Sequence, residues 1–114
     1  MHEVSIALSL LERVIEECQR NGYSKITSVS VDIGRASGIM PDALSFSFNA
    51  IKADTIAANA ELLINEVNVR ALCKACGTEF ASEETYIFSC PYCGSTDFSV
   101  ISGRELDITE IEVE

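Results

Sequence analysis

Basic residues are scarce in this chain of 114 residues: eight Lys and Arg stand against eighteen Asp and Glu, a formal charge of −10. Such a field repels a polyanion unless the few cations cluster. They do not, since between residues 70 and 104 Arg70, Lys74 and Arg104 face Glu79, Glu83, Glu84 and Asp97. Nucleic acid is therefore not an expected partner. Long apolar runs are missing too. No stretch approaches the roughly 20 residues that span a bilayer, and the opening Met1-His2-Glu3 has neither the basic nor the apolar region of a secretory signal. The expectation is a cytoplasmic protein with no membrane contact. A phosphate loop G-x-x-x-x-G-K-S/T is absent, the turn from Gly34 to Gly38 having no Lys, and the single histidine, His2, has no Ser or Cys partner in a nucleophile motif. No enzyme is expected, and any nucleotide has to be bound by a partner.

What is present is globular: 47% hydrophobic and 23% charged residues, enough for one domain or for a small domain carrying a minimodule. Val4, Ala7, Leu8, Leu11, Val14, Ile15 and Cys18 recur at steps of three and four, one face of an amphipathic helix that Asn21-Gly22 closes. From Thr27 to Gly34 the alternation of Val29, Val31 and Ile33 with Ser28, Ser30 and Asp32 predicts a half-buried strand. Pro41 opens a second helix reaching about Ala53, with Leu44, Phe48 and Ile51 inward. Leu44, Phe46 and Phe48 also alternate as a strand would, but Ala43, Ala50 and Ala53 favour the helix.

Residues 60–72 form the next extended candidate, with Leu63, Val67, Val69 and Ala71 on one side. In the last strand Leu106 and Ile108 differ in parity from Ile111 and Val113, which predicts a bulge near Thr109-Glu110. The fold expected is α+β: a two-layer α/β domain of residues 1–70 and 104–114, two helices on a mostly three-stranded sheet. Residues 71–103 are read as an inserted four-cysteine zinc-ribbon minidomain.

Five cysteines in a reducing compartment are metal ligands, reactive thiols or core residues before they are disulfides. Cys73-Lys74-Ala75-Cys76-Gly77 and Cys90-Pro91-Tyr92-Cys93-Gly94 repeat one arrangement, thirteen residues apart. A two-residue spacer turns both thiolates of a pair toward one point, and the following Gly takes the positive φ that lets backbone N–H groups face sulfur. Two such pairs make a closed sulfur cage, suited to structural zinc first and iron second. Phe80, Ile87, Phe88 and Phe98 are too few to close a core without that clamp. Cys90-Pro91-Tyr92-Cys93 alone would also suit a thiol redox protein, a reading that leaves Cys73 and Cys76 idle. Cys18, on the inward face of the first helix, is a core residue.

On composition alone His2 is a solvated terminal residue, with Glu3 well placed against the helix macrodipole. The chemical reading is sharper. An α-amine, a backbone amide nitrogen and an imidazole can wrap a divalent ion in nitrogen donors, a set that favours Ni(II) or Cu(II).

The opening Met1-His2-Glu3, the amphipathic helix behind it and Cys-x-x-Cys twice about two thirds along together resemble the HypA family of nickel metallochaperones for nickel–iron hydrogenase maturation. The resemblance runs over essentially the whole chain. It implies a structural zinc held by Cys73, Cys76, Cys90 and Cys93, and nickel carried at the terminus by His2, by the backbone nitrogens of His2 and Glu3, and by the Met1 amine. Some relatives add an aspartate from the loop before the second helix, for which Asp42 is the nearest candidate here. It further implies docking to a GTP-hydrolysing nickel chaperone and delivery to the hydrogenase large subunit, with urease maturation served in some relatives. The competing reading from the residues is a zinc-ribbon protein-interaction module with no nickel role.

Overall fold

In the computed structural model, which describes residues 2–84 and 86–114 and leaves out the side chain of His2, the first helix α1 spans His2–Arg20. Ala7, Leu10, Leu11, Val14 and Cys18 are its buried stripe. Val4 and Leu8, expected inside, are exposed, and Leu10 takes the inward place. The helix stops where Asn21-Gly22 predicts. Gly22 has φ +82°, its N–H donates to the Gln19 carbonyl, and the Tyr23 N–H donates to the Cys18 carbonyl, a Schellman closure.

Strand β1, Ile26–Gly34, is the centre of a three-stranded sheet, with β2, Glu61–Val67, on one side and β6, Leu106–Val113, on the other. Helix α2, Pro41–Ile51, starts on its proline and packs on α1. It ends two residues short of Ala53, where the Lys52 N–H donates to the Phe48 carbonyl. Leu44 and Phe48 are fully buried.

The bulge expected at Thr109-Glu110 falls in β6, which pairs with β1. The Gly34 N–H donates to Glu105 O and the Glu114 N–H to Lys25 O. Between them the Thr109 hydroxyl donates to Ser30 O and the Thr27 hydroxyl to Glu112 O. The two backbone bonds lie nine residues apart on each strand, from 25 to 34 and from 105 to 114, whereas the bonds of one regular antiparallel ladder fall on every second residue, so the pairing changes phase between them. The change of parity is shared by both strands. In β1 the buried positions pass from Ile26 and Ser28 to Val29, Val31 and Ile33, and in β6 the half-buried positions pass from Ile108 to Ile111 and Val113.

The extended candidate at 60–72 is two strands. Strand β2 half-buries Leu62 and Ile64 and leaves Leu63 exposed, against the expected parity, whereas Val67, Val69 and Ala71 are covered as expected. After Asn68 the chain enters a second sheet as β3, Val69–Cys73. This strand is central, between β4, Glu79–Ser82, and β5, Phe98–Ser102. Both pairings are antiparallel. A register irregularity does occur here: Arg70 pairs with Ser102 but Ala71 with Val100, so Ile101 is the extra residue.

By its internal contacts the chain divides into two compact units. One holds residues 1–31, 39–65 and 107–114, and the other holds residues 32–38 and 66–106. The first is built on α1, α2 and most of the β1 sheet. The second has a small core of Ala71, Cys73, Phe80 and Cys90, with Ile87 and Phe98 against it. Among the described residues no helix is long and apolar enough to cross a membrane.

Candidate metal centre

Cys73 ends β3, and the chain then turns back on itself. The Gly77 N–H donates to Cys73 O at 2.9 Å and the Cys73 N–H to Thr78 O at 3.0 Å, while the Cys76 N–H faces the Cys73 sulfur at 3.5 Å. The second knuckle repeats the scheme. The Gly94 N–H donates to Cys90 O at 2.9 Å, the Cys90 N–H to Ser95 O at 2.8 Å, and the Tyr92 N–H faces the Cys90 sulfur at 3.4 Å. Gly77 and Gly94 share φ +76°, the left-handed conformation that a side chain would strain. A backbone bond from the Lys74 N–H to Asp97 O ties the first knuckle to the start of β5.

The two knuckles face each other, and all four sulfurs lie within 4.8 Å of one another. Cys73 Sγ is 3.5 Å from Cys93 Sγ and Cys76 Sγ is 3.8 Å from Cys90 Sγ. These separations are far beyond a disulfide. A tetrahedron with metal–sulfur bonds of about 2.3 Å has edges of about 3.8 Å, so the cluster has the dimensions of a closed four-sulfur cage. It is also asymmetric: Cys73 and Cys90 belong to the core, while Cys76 and Cys93 are exposed.

The electrostatics fit a cation. The Cys76 thiol is lowered to about 6, chiefly by hydrogen bonds from the side chain and then the backbone of Thr78. For Cys93 the largest single influence, the Ser95 backbone N–H, favours the thiolate. It is outweighed by the neighbouring Cys73 thiol, by desolvation and by Cys90 and Cys76, which together push Cys93 up to about 12. Four thiolates in so small a volume cannot all ionise without a positive charge among them, and a divalent ion supplies it. The donor set is consistent with zinc.

Thr78 is a contributor that the cysteine spacing does not name. Its signal was nevertheless present, because Thr78 and Ser95 occupy the same place, two residues after the second cysteine of each knuckle.

At the other candidate site, Glu3 is half-buried in the first turn of α1. The Met1 amine and the His2 imidazole lie outside the described residues. Asp42 is exposed on the first turn of α2.

Comparison with known proteins covers the full chain. The family described as hydrogenase/urease nickel incorporation, metallochaperone, hypA matches residues 1–113. The hydrogenase maturation factor HypA of Chlorobaculum tepidum is 39% identical over 114 residues, covering 100% of both chains. That of Geobacter metallireducens is 41% identical over 115 residues, again covering 100% of both. The solution structure of the nickel metallochaperone HypA from Helicobacter pylori superposes with a TM-score of 0.68 at 25% identity, covering 97% of this chain and 96% of that one. Sequence, knuckle geometry and fold thus agree from end to end, and the chain belongs to the HypA family of nickel-incorporation metallochaperones.

Proposed function

We propose that this protein carries Ni(II) at its amino terminus and hands it to the machinery that matures nickel–iron hydrogenase in the cytoplasm. Zinc held by Cys73, Cys76, Cys90 and Cys93 keeps the second unit folded. The full-length match to a nickel-incorporation family carries this reading, and the terminal chemistry supports it.

His2 opens α1. The first four N–H groups of a helix have no partner within it, so the amide nitrogens of His2 and Glu3 are free of helical hydrogen bonding. With the His2 imidazole and the Met1 amine they make a four-nitrogen set of the tetragonal kind that Ni(II) favours. The positive end of the helix opposes a bare cation. Two deprotonated amides cancel the ion's charge, so that objection does not apply to this set. Asp42 is a further carboxylate in the same unit, available as an added ligand.

A closed four-sulfur cage leaves zinc no open position, so its contribution is folding and not catalysis. The protein is a carrier, not an enzyme. A few donors at a chain end can be taken apart one at a time, as transfer requires. GTP hydrolysis belongs to a partner nickel chaperone, the hydrogenase large subunit is the recipient, and the urease in the family description makes urease maturation proteins a second set of clients.

The test is a calorimetric nickel titration of zinc-loaded protein with its authentic start, with an N-terminal extension, and as His2→Ala. One nickel site in the first that is lost in both of the others is the expected result. Equal binding by all three removes the terminal site.

A further inference from the structure

Three aromatic side chains of the cysteine-bearing unit stand outside its core: Phe88 is 82% exposed, Tyr86 72% and Tyr92 70%. By contrast Phe80 and Phe98 meet edge to face at 5.9 Å. Tyr86 and Phe88 lie side by side, with ring centroids 6.3 Å apart and planes tilted by 37°. Next to them is a cleft of about 290 Å³, lined by Phe80 and Ala81 of the edge strand β4 and by Tyr86, Ile87, Phe88 and Pro91. That volume is at the low end for a small-molecule site and matches a single large side chain of a partner. Clustered exposed aromatics beside such a pocket are the usual anchor of a protein interface.

Charge decides what fits. Between Lys74 and Arg104 there is no basic residue, and the carboxylates are Glu79, Glu83, Glu84 and Asp97. Glu79 is bound by Arg70. Glu83 and Glu84, both exposed, immediately precede the aromatic segment. When filled, four thiolates around a divalent ion add a net charge of about −2. A second copy of the chain brings the same carboxylates and is repelled, and so is nucleic acid.

We propose that this cleft docks an arginine-bearing segment of a partner protein, its guanidinium groups stacked on Tyr86, Phe88 and Tyr92 and one aliphatic side chain seated in the cleft. Arginine is preferred over lysine because its planar, weakly hydrated cation stacks on aromatic faces. The surface contains none of the proposed nickel ligands, so binding persists in His2→Ala and stands or falls separately from the carrier reading.

The experiment uses zinc-loaded full chain and a short synthetic peptide with two arginines flanking a leucine, together with its lysine and glutamate versions. The chain has three tyrosines and no tryptophan, so tyrosine fluorescence reports on Tyr86 and Tyr92 with only Tyr23 as background, and amide shifts locate the contact. The arginine peptide is expected to shift residues 80–92 and to weaken with salt. The lysine version should bind several-fold less tightly and the glutamate version not at all.

Tyr86→Ser/Phe88→Ser should lose about tenfold in affinity with zinc content unchanged. Glu83→Gln/Glu84→Gln, which leaves every ring in place, should weaken binding and flatten its salt dependence. If the aromatic variant loses zinc, the glutamate variant and Tyr92→Ser decide. Equal binding of the glutamate peptide, unchanged affinity in the variants, shifts located elsewhere, or self-association through this surface would each overturn the proposal.

Discussion

The backbones of Gly34 and Gly103 are in direct contact, leaving no room for a side chain on Gly34: a Cβ there would overlap the Gly103 carbonyl group and the Arg104 nitrogen. Gly103 itself has φ +115° and lies against Val69, whose Cα would be 2.8 Å from an added Cβ. Three backbone bonds hold this crossing, from Gly34 N–H to Glu105 O, Arg35 N–H to Val67 O and Ala36 N–H to Gly103 O, at 2.7–2.9 Å. The end of β1 is thereby tied to the chain just before β3 and just after β5. Since neither backbone can move without breaking those bonds, Gly34→Ala should destabilise the protein by about 1–3 kcal/mol or more. Gly38→Ala, with φ +82° but open space around it, should cost about 1 kcal/mol. Urea midpoints of the two variants check the order.

The asymmetry of the sulfur cage predicts unequal cysteine variants. Cys73 and Cys90 are both ligand and core, 0% and 1% exposed, so a serine there removes a ligand and buries an unsatisfied hydroxyl together. Cys73→Ser and Cys90→Ser should unfold the β3–β5 sheet outright. Cys76→Ser and Cys93→Ser, at exposed positions, should keep the sheet at high zinc but surrender the metal to a chelator more readily. Removing zinc from the parent takes away about 10 kcal/mol or more of metal-linked folding energy, and amide dispersion from residues 69–102 should collapse. Retention of that dispersion after complete chelation would show that zinc does not hold the unit.

Thiol reactivity follows from the opposed shifts within the cage. In the interval after the metal is stripped and before the unit unfolds, Cys76, lowered to about 6 by Thr78 in the folded cage, is mainly thiolate at neutral pH. Cys93, at about 12, and Cys18, raised by burial and by Glu17, are not. The thiolate is the nucleophile, so iodoacetamide should label Cys76 first, and the rate should fall as pH drops through about 6. Thr78→Val should move that fall upward, toward the ordinary thiol value of about 8.5. Brief labelling pulses over a pH series, quenched before the unit unfolds and read by peptide mass spectrometry, measure both, and first labelling at Cys93 within the pulse would contradict the assignment.

The sequence made the site more legible than the sheets. Two knuckles with glycines at equivalent places specify a sulfur cage locally, because every requirement lies within five residues of a cysteine. The helix stop at Asn21-Gly22 was readable for the same reason. Strand parity was not. Leu63 carries an inward-looking residue type but is exposed, while its neighbours Leu62 and Ile64 are half-buried. The parity change at Ile108–Ile111 has a counterpart in β1 at Ser28–Val29, which the β6 sequence does not announce. Such information resides in the pairing of distant segments and is absent from either alone. The irregularity at Ile101 of β5 left no mark in the apolar pattern because that residue is exposed.

The segment Leu44-Ser45-Phe46-Ser47-Phe48 tests how far tertiary structure separates like residues. Alternation groups its three apolar side chains, whereas the helical path of α2 splits them: Leu44 and Phe48 are fully buried, and Phe46, two positions from each, is 77% exposed. The Lys52 ammonium lies 6.0 Å from the centre of the Phe48 ring and donates to the Ala60 carbonyl at 2.8 Å, so Phe48 also supports the turn that follows the helix. Phe48→Ala should therefore cost about 3–5 kcal/mol, and Phe46→Ser should lie within about 0.5 kcal/mol of the parent. Chemical denaturation of both proteins with zinc bound measures the difference. Comparable losses in the two variants would mean that Phe46 is covered in solution, and the assignment of that face of α2 to solvent would be withdrawn.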